Sequence, residues 1–238
     1  MSLLGRSVPR REGIEKLTGR AVYVDDRPAA GVWFGGTIRS TEPRARLRRL
    51  VQDPRFPWSR VVLVLPDDIP GENVVPLLRD DQPVLATREI RHPEEPLALV
   101  AAPDKELLAR ALAAIRVETE ALPPLLDLEE AAARANGAGG LFKRIEILKG
   151  DPDAAFPGAD LVVEAEYAVG SQEHVYIEPQ GMEARWDGDA VTVYGSLQCP
   201  YYVVHGLARI LGLPEDRVRV VQQATGGGFG GKEANAGE

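Results

Sequence analysis

A chain of 238 residues with 44% hydrophobic and 27% charged content is composed like a globular protein, with room for one or two domains of about 150 residues each. Its 28 basic and 36 acidic residues leave a net charge of −8, which repels phosphate backbones and sets nucleic acid aside as a partner. The single cysteine, Cys199, excludes an internal disulfide and a cysteine cluster for zinc or iron–sulfur. The reducing cytoplasm is the expected compartment, because the first residues lack a signal-peptide run and no stretch approaches the ~20 apolar residues of a membrane span.

In chain order, residues 1 to about 20 are polar, carry Gly5, Pro9, Gly13 and Gly19, and read as an extended arm. "GVWFGGTIRS" (31–40) reads as a strand. "RARLRR" (44–49) reads as a solvated strand or turn. "RVVLVLP" (60–66) reads as a buried strand, by its β-branched content and flanking turns. "DDIPGEN" (67–73) is a loop.

"PLALVAAP" (96–103) is a further strand. In "DKELLARALAAI", Asp104 can cap a helix, and Leu107, Leu108, Ala111, Leu112 and Ile115 share a face. "RVETEALPPLL" returns as a strand, which predicts a β-α-β unit inside a mixed sheet. "LEEAAARANGAGG" (128–140) predicts a short helix running into a Gly/Ala linker, so the domain boundary is drawn there.

After the linker, "LVVEAEYAVGSQ" (161–172) alternates like a strand. "MEARWDGDAVTVYGS" predicts two strands around an Asp-Gly-Asp hairpin. "PYYVVHGLARILGL" predicts an amphipathic helix stopped by Gly212, with Val203, Val204, Leu207, Ile210 and Leu211 on one face. "RVRVVQQ" is a strand that feeds the stretch "ATGGGFGGKE" (224–233).

This glycine loop fits two phosphate-binding patterns at once. Gly226, Gly231 and Lys232 match G-x-x-x-x-G-K, and Gly226, Gly228 and Gly231 match G-x-G-x-x-G. Both matches come cheaply in so glycine-rich a run. The first pattern fails because Glu233 stands where a magnesium-binding Ser or Thr is required. The second needs a following helix and an acid ~20 residues on, and only five residues follow Glu233. A tight turn alone accounts for one or two of the glycines. The remainder suggest main chain brought close to a ligand, with Lys232 and Glu233 facing something polar.

Several segments together resemble the large subunit of the xanthine dehydrogenase and aldehyde oxidase family. "EKLTGRAVYVDD", "TIRSTEPRARLRRL", "DDIPGENVVPLLRDDQPVLA", "EPLALVAAP" and "VETEALPPLLD" resemble its α/β hammerhead domain. "GSQEHVYIEPQGMEA", "SLQCP" and "GGGFGGKE" resemble the start of its molybdopterin-binding domain. The chain departs from the family at "EEPLA" (94–98), where a glycine usually precedes the turn; this lies in the hammerhead part and reads as subfamily drift.

The resemblance implies an α+β fold. It implies an arm and hammerhead domain over 1–128, a linker over 129–143, and the beginning of a molybdenum cofactor-binding domain over 144–238. It also implies that the family pattern continues past this loop, so that the general-base glutamate and much of the pocket lie elsewhere. On this reading the chain is a fragment or one half of a split subunit. The implied activity is hydroxylation of a purine-like nitrogen heterocycle or an aldehyde with water-derived oxygen. The alternative is a non-catalytic remnant or an assembly module.

The implied cofactor is molybdenum–molybdopterin, in the cytosine dinucleotide form. FAD and [2Fe-2S] would sit on partner subunits, beside the remaining part of the large subunit. By position, Gly227, Gly228, Phe229 and Gly230 would present main chain to the cofactor, and the Gln198 amide would donate to its apical oxo ligand. Phe229 reads equally as a wall of the substrate channel or as core packing. Glu233 matches the position where purine-oxidising members carry a substrate-binding glutamate; the plain alternative is an exposed acid. His92, His174 and His205 stand isolated and read as structural. Cys199 lacks a base partner for nucleophilic work. Glu178 reads as shaping strands.

Overall fold

The computed structural model describes residues 4–28, 30–76, 80–135 and 143–233. The Gly/Ala stretch 136–142 of the expected linker and the last five residues lie outside the described residues. Two compact units emerge: residues 1–122 with 174–238, and residues 123–173.

The first unit begins with α1 (Gly13–Leu17), a short helix within the expected arm. The Thr18 hydroxyl donates to the Ile14 carbonyl at 2.7 Å and closes its last turn. Strands β1 (Phe34–Arg39), β2 (Ala45–Gln52), β3 (Val62–Val64), β4 (Glu89–Ile90) and β5 (Pro96–Ala102) follow. Then come α2 (Lys105–Ala113) and β6 (Ile115–Ala121). The second unit holds α3 (Leu128–Ala135) and α4 (Pro152–Ala155). The first unit resumes with β7 (Met182–Asp187), β8 (Ala190–Gly195), α5 (Pro200–Leu211) and β9 (Val218–Gln222). This is a mixed α and β architecture, as anticipated.

The strands form three three-stranded sheets in the orders β1-β5-β3, β4-β2-β6 and β7-β8-β9. The expected β-α-β unit in one mixed sheet is corrected here. The strands on either side of α2 belong to different sheets, and every pair in those two sheets is antiparallel. Both edges of β5 are taken, by β1 and β3, so β6 has no place beside it. β6 pairs instead with β2, where the arginine-rich stretch meets its acids. Arg46 reaches Glu120 at 3.1 Å, Arg49 reaches Glu118 at 2.5 Å, and Arg48 also pairs with Glu120.

Ala111 of α2 is buried in the first core with Ile38, Ala86, Ile90, Leu97, Ala98 and Val100, Leu108 and Leu112 pack against it, and Leu107 is buried as well. Each large apolar side chain so buried contributes about 1.5–3 kcal/mol. Asp104 caps this helix, accepting from the Leu107 N–H at 2.7 Å. The strand expected at 60–66 is shorter and sits at an edge: Val62 remains 49% exposed. A second core gathers Val191, Val193, Ala208 and Val218, where α5 packs on the β7-β8-β9 sheet. Gly212 ends α5 in the left-handed conformation at φ 65°.

In the second unit, Asp127 and Asp151 cap the two helices by accepting from Glu130 N–H at 2.8 Å and Ala154 N–H at 3.0 Å. The alternating stretch 161–172 forms no strand, contrary to expectation. A strand requires a neighbour for its ladder, and no described residue of this unit lies in one. Its apolar side chains stay exposed, Val169 at 97%.

Candidate functional site

β7 and β8 pair antiparallel across the Gly188-Asp189 turn, and β9 then pairs parallel to β8. The C-terminal ends of two parallel neighbours therefore lie side by side, the usual position for ligand-binding loops on α/β sheets. From β8 the chain runs through Ser196, Leu197 and Gln198 into α5. From β9 it runs through Thr225 into the glycine loop. The segment 174–181 joins them: Glu178 N–H donates to Gly226 O at 3.3 Å, and Ser196 N–H to Gly181 O at 3.1 Å.

Lys232 is fully buried. Its ammonium donates to the Glu178 carbonyl at 2.7 Å, the Ser196 hydroxyl at 2.7 Å and Glu178 Oε2 at 3.2 Å, so all three donors are used. It also lies 4.7 Å from the centre of the Tyr176 ring. Glu178 Oε2 further accepts from the Ser196 hydroxyl and the Gly226 N–H, both at 2.6 Å. Burial raises the Glu178 pKa, but the hydrogen bonds from Ser196, Gly226 and Lys232 outweigh it and hold the carboxyl below its ordinary value.

Lys232 therefore does not face a polar ligand, as the sequence suggested, and it is not available to a phosphate. Glu178, Ser196 and Tyr176 were not legible as partners of this loop. A glutamate before a proline, 54 residues from its lysine in the chain, carries no local signal of pairing.

The loop answers first to the protein's own packing. A Cβ on Gly226 would lie 2.5 Å from the Glu178 Cβ, and one on Gly228 would strike the Gln198 amide. Gly227 and Gly230 hold φ of 100° and 96°. Phe229 also sits in the left-handed region, at φ 52°, with its ring 73% exposed. It is not core.

Gln198 is exposed, and its carbonyl oxygen accepts from Gly230 N–H at 3.0 Å and Lys232 N–H at 3.2 Å. Two donors on one amide atom identify it as oxygen. The NH2 end is left as an outward donor without a partner among the described residues. Gly228 is buried, yet its N–H has no acceptor there, and neither do those of Gly227 and Phe229. N–H donors left unpaired among the described residues suit an oxygen-rich, anionic ligand. Glu233 is exposed beside them, its N–H bonded to Gly230 O at 3.2 Å.

The structure thus brings Gln198, Gly227, Gly228, Phe229, Gly230 and Glu233 to one place. His205 pairs with Glu215 at 2.9 Å, and His92 contacts the Pro93 carbonyl at 2.8 Å; both are structural contacts. Among the described residues, no group of three or more His, Cys, Asp or Glu converges as a protein-held metal would need, and no helix is long and apolar enough to cross a membrane.

Two family models match in tandem: the aldehyde oxidase and xanthine dehydrogenase a/b hammerhead domain over residues 18–123, and the molybdopterin cofactor-binding domain over 136–238. The chain belongs to the xanthine dehydrogenase and aldehyde oxidase family of molybdenum hydroxylases. It is 34% identical over 236 residues to the nicotinate dehydrogenase large molybdopterin subunit of Eubacterium barkeri, covering 97% of this chain and 56% of that one. It is 32% identical over 240 residues to the xanthine dehydrogenase of Blastobotrys adeninivorans, covering 98% of this chain and 17% of that one. Quinoline 2-oxidoreductase from Pseudomonas putida 86 superposes with a TM-score of 0.82 at 25% identity, covering 97% of this chain and 31% of that one. The chain spans about half the length, or less, of these relatives.

Proposed function

We propose that this chain supplies one wall of a molybdenum–molybdopterin site in an oxidoreductase that hydroxylates a nitrogen heterocycle. The observation that carries the reading is the pinned amide of Gln198, aimed outward beside the unpaired N–H groups of Gly227, Gly228 and Phe229. When bound, the cofactor supplies the two-electron redox chemistry. The Gln198 Nε2 would donate to an oxygen of the bound cofactor, and the Gly230 and Lys232 N–H groups on its carbonyl oxygen hold the amide beforehand. The main chain of Gly227 to Gly230 lines the approach, and the Phe229 ring walls the substrate side and excludes water.

Glu233 hydrogen-bonds an N–H of the substrate ring and selects its tautomer. Similar proteins are named for nicotinate and xanthine and also for aldehydes, so the choice of a nitrogen heterocycle rests on Glu233. The cofactor is the cytosine dinucleotide form. The rest of the large subunit, with the general-base glutamate, and partner subunits carrying FAD and [2Fe-2S] complete the enzyme in the cytoplasm. The hammerhead region comprises 1–128, followed by a linker over 129–143 and the cofactor domain from 144.

The test is dye reduction by the complete complex with xanthine, nicotinate and an aldehyde. Glu233→Val should lower kcat/KM for the heterocycles by about 10- to 200-fold, the equivalent of about 1.5–3 kcal/mol for a hydrogen bond to a charged group, and leave aldehyde turnover within a few-fold. A wild type that prefers the aldehyde, or a variant that loses both equally, contradicts the assignment of Glu233.

A further inference from the structure

Nothing in the proposed chemistry uses the charges of the Glu178–Lys232 pair. Burying the Lys232 ammonium beside the half-buried Glu178 is not the cheapest way to fill this space, since apolar residues often replace buried ion pairs at no cost. What an ion pair adds is geometry.

One carboxylate oxygen, Glu178 Oε2, takes the N–H of Gly226 at the start of the loop and the ammonium of Lys232 near its end. The Ser196 hydroxyl, on the strand exit that leads to Gln198, accepts from that ammonium and donates to that carboxylate. Lys232 is also the residue whose main-chain N–H holds the Gln198 amide oxygen, and the Gln198 N–H donates to the Lys232 carbonyl at 2.8 Å. The loop, its ends and the amide therefore form one connected hydrogen-bonded ring.

We propose that Glu178 is a positioning residue: by clamping both ends of the 226–232 loop, it fixes the two main-chain N–H groups that aim the Gln198 amide at the cofactor. This rests on the reading of Gln198 as the cofactor's donor. The clamp itself is a property of the chain without cofactor, so it can be measured separately.

The experiment uses the cofactor-free chain uniformly labelled with 15N, as wild type, Glu178→Gln and Ser196→Ala. The Gln198 side-chain signal is identified by its loss in Gln198→Ala. In the wild type this signal is a single resolved NH2 pair. In Glu178→Gln it collapses toward the random-coil position, and exchange of the Gly226, Gly230 and Lys232 amides rises about tenfold or more, while amides of β1 and β5 keep their rates. Ser196→Ala, the milder change, moves the same signals in the same direction by a smaller amount and serves if Glu178→Gln does not fold. An unmoved Gln198 signal with unchanged loop exchange in the folded variants overturns the clamp. Molybdenum counted on the loaded complex separates the two ideas: its absence from the wild type overturns the cofactor reading, whatever the NMR shows.

Discussion

Phe229 holds a backbone conformation that costs an ordinary residue about 1–2 kcal/mol, and it holds it with its ring 73% exposed. Such strain is retained where a site needs it. Phe229→Gly is therefore expected to raise the stability of the cofactor-free chain by about 1 kcal/mol in denaturant unfolding, while weakening substrate affinity in the complete enzyme. Loss of stability in that variant would place the ring in packing instead. Glu178 gives a second prediction at this scale. Its carboxyl is held below the ordinary 4.5, so the folded state favours the carboxylate. The resulting stability is complete above about pH 4.5 and is lost as pH falls through the lower folded value. Wild-type stability should fall more steeply than that of Glu178→Gln between about pH 5 and 3. Parallel pH curves would mean that the pair contributes nothing.

At the scale of elements, local patterns were reliable wherever the chain settles its own structure. The caps at Asp104 and Gly212, the hairpin at Gly188-Asp189 and the apolar face of α5 were all readable, because each depends on residues within a few positions. Pairing across the chain was not. β5 and β6 flank α2 as a crossover unit would, yet they part company because β1 and β3 occupy both edges of β5. The arginines of β2 became intelligible only beside Glu118 and Glu120. The alternation at 161–172 promised a strand, and only a neighbouring strand could have made it one.

A further contact invisible in the sequence is the approach of the loop after Pro70 to the end of α5. Gly71 N–H donates to Ile210 O at 2.9 Å and Glu72 N–H to Arg209 O at 3.0 Å. Arg209 is held by Asp80 at 2.8 Å and also by Glu72, and these acids raise its pKa. The helix's last carbonyls are thus satisfied by a segment far away in sequence. A Cβ on Gly71 would overlap the Arg209 carbonyl. Gly71→Ala should destabilise the chain by about 1–3 kcal/mol, the range for overpacking, read as a lowered Tm. An unchanged Tm would show that the loop can retreat without loss.

For the molecule as a whole, the family and the place of the glycine loop were legible because several motifs occur in the right order, although each is weak alone. The wiring of the site was not. The loop's glycines suggested a ligand, while the structure assigns several of them to contacts with Glu178 and Gln198. The donors left for a ligand are the Gln198 amide and the N–H groups of Gly227, Gly228 and Phe229. The most direct test of this assignment is molybdenum per chain, measured by mass spectrometry on the complete complex from a cofactor-making host, for the wild type and Gly228→Ala. The added methyl meets the Gln198 amide and displaces the donor without removing it. Molybdenum should be present in the wild type and about tenfold lower in the variant, equivalent to roughly 1.4 kcal/mol of lost binding. Equal molybdenum in both, or none in either, would contradict the assignment.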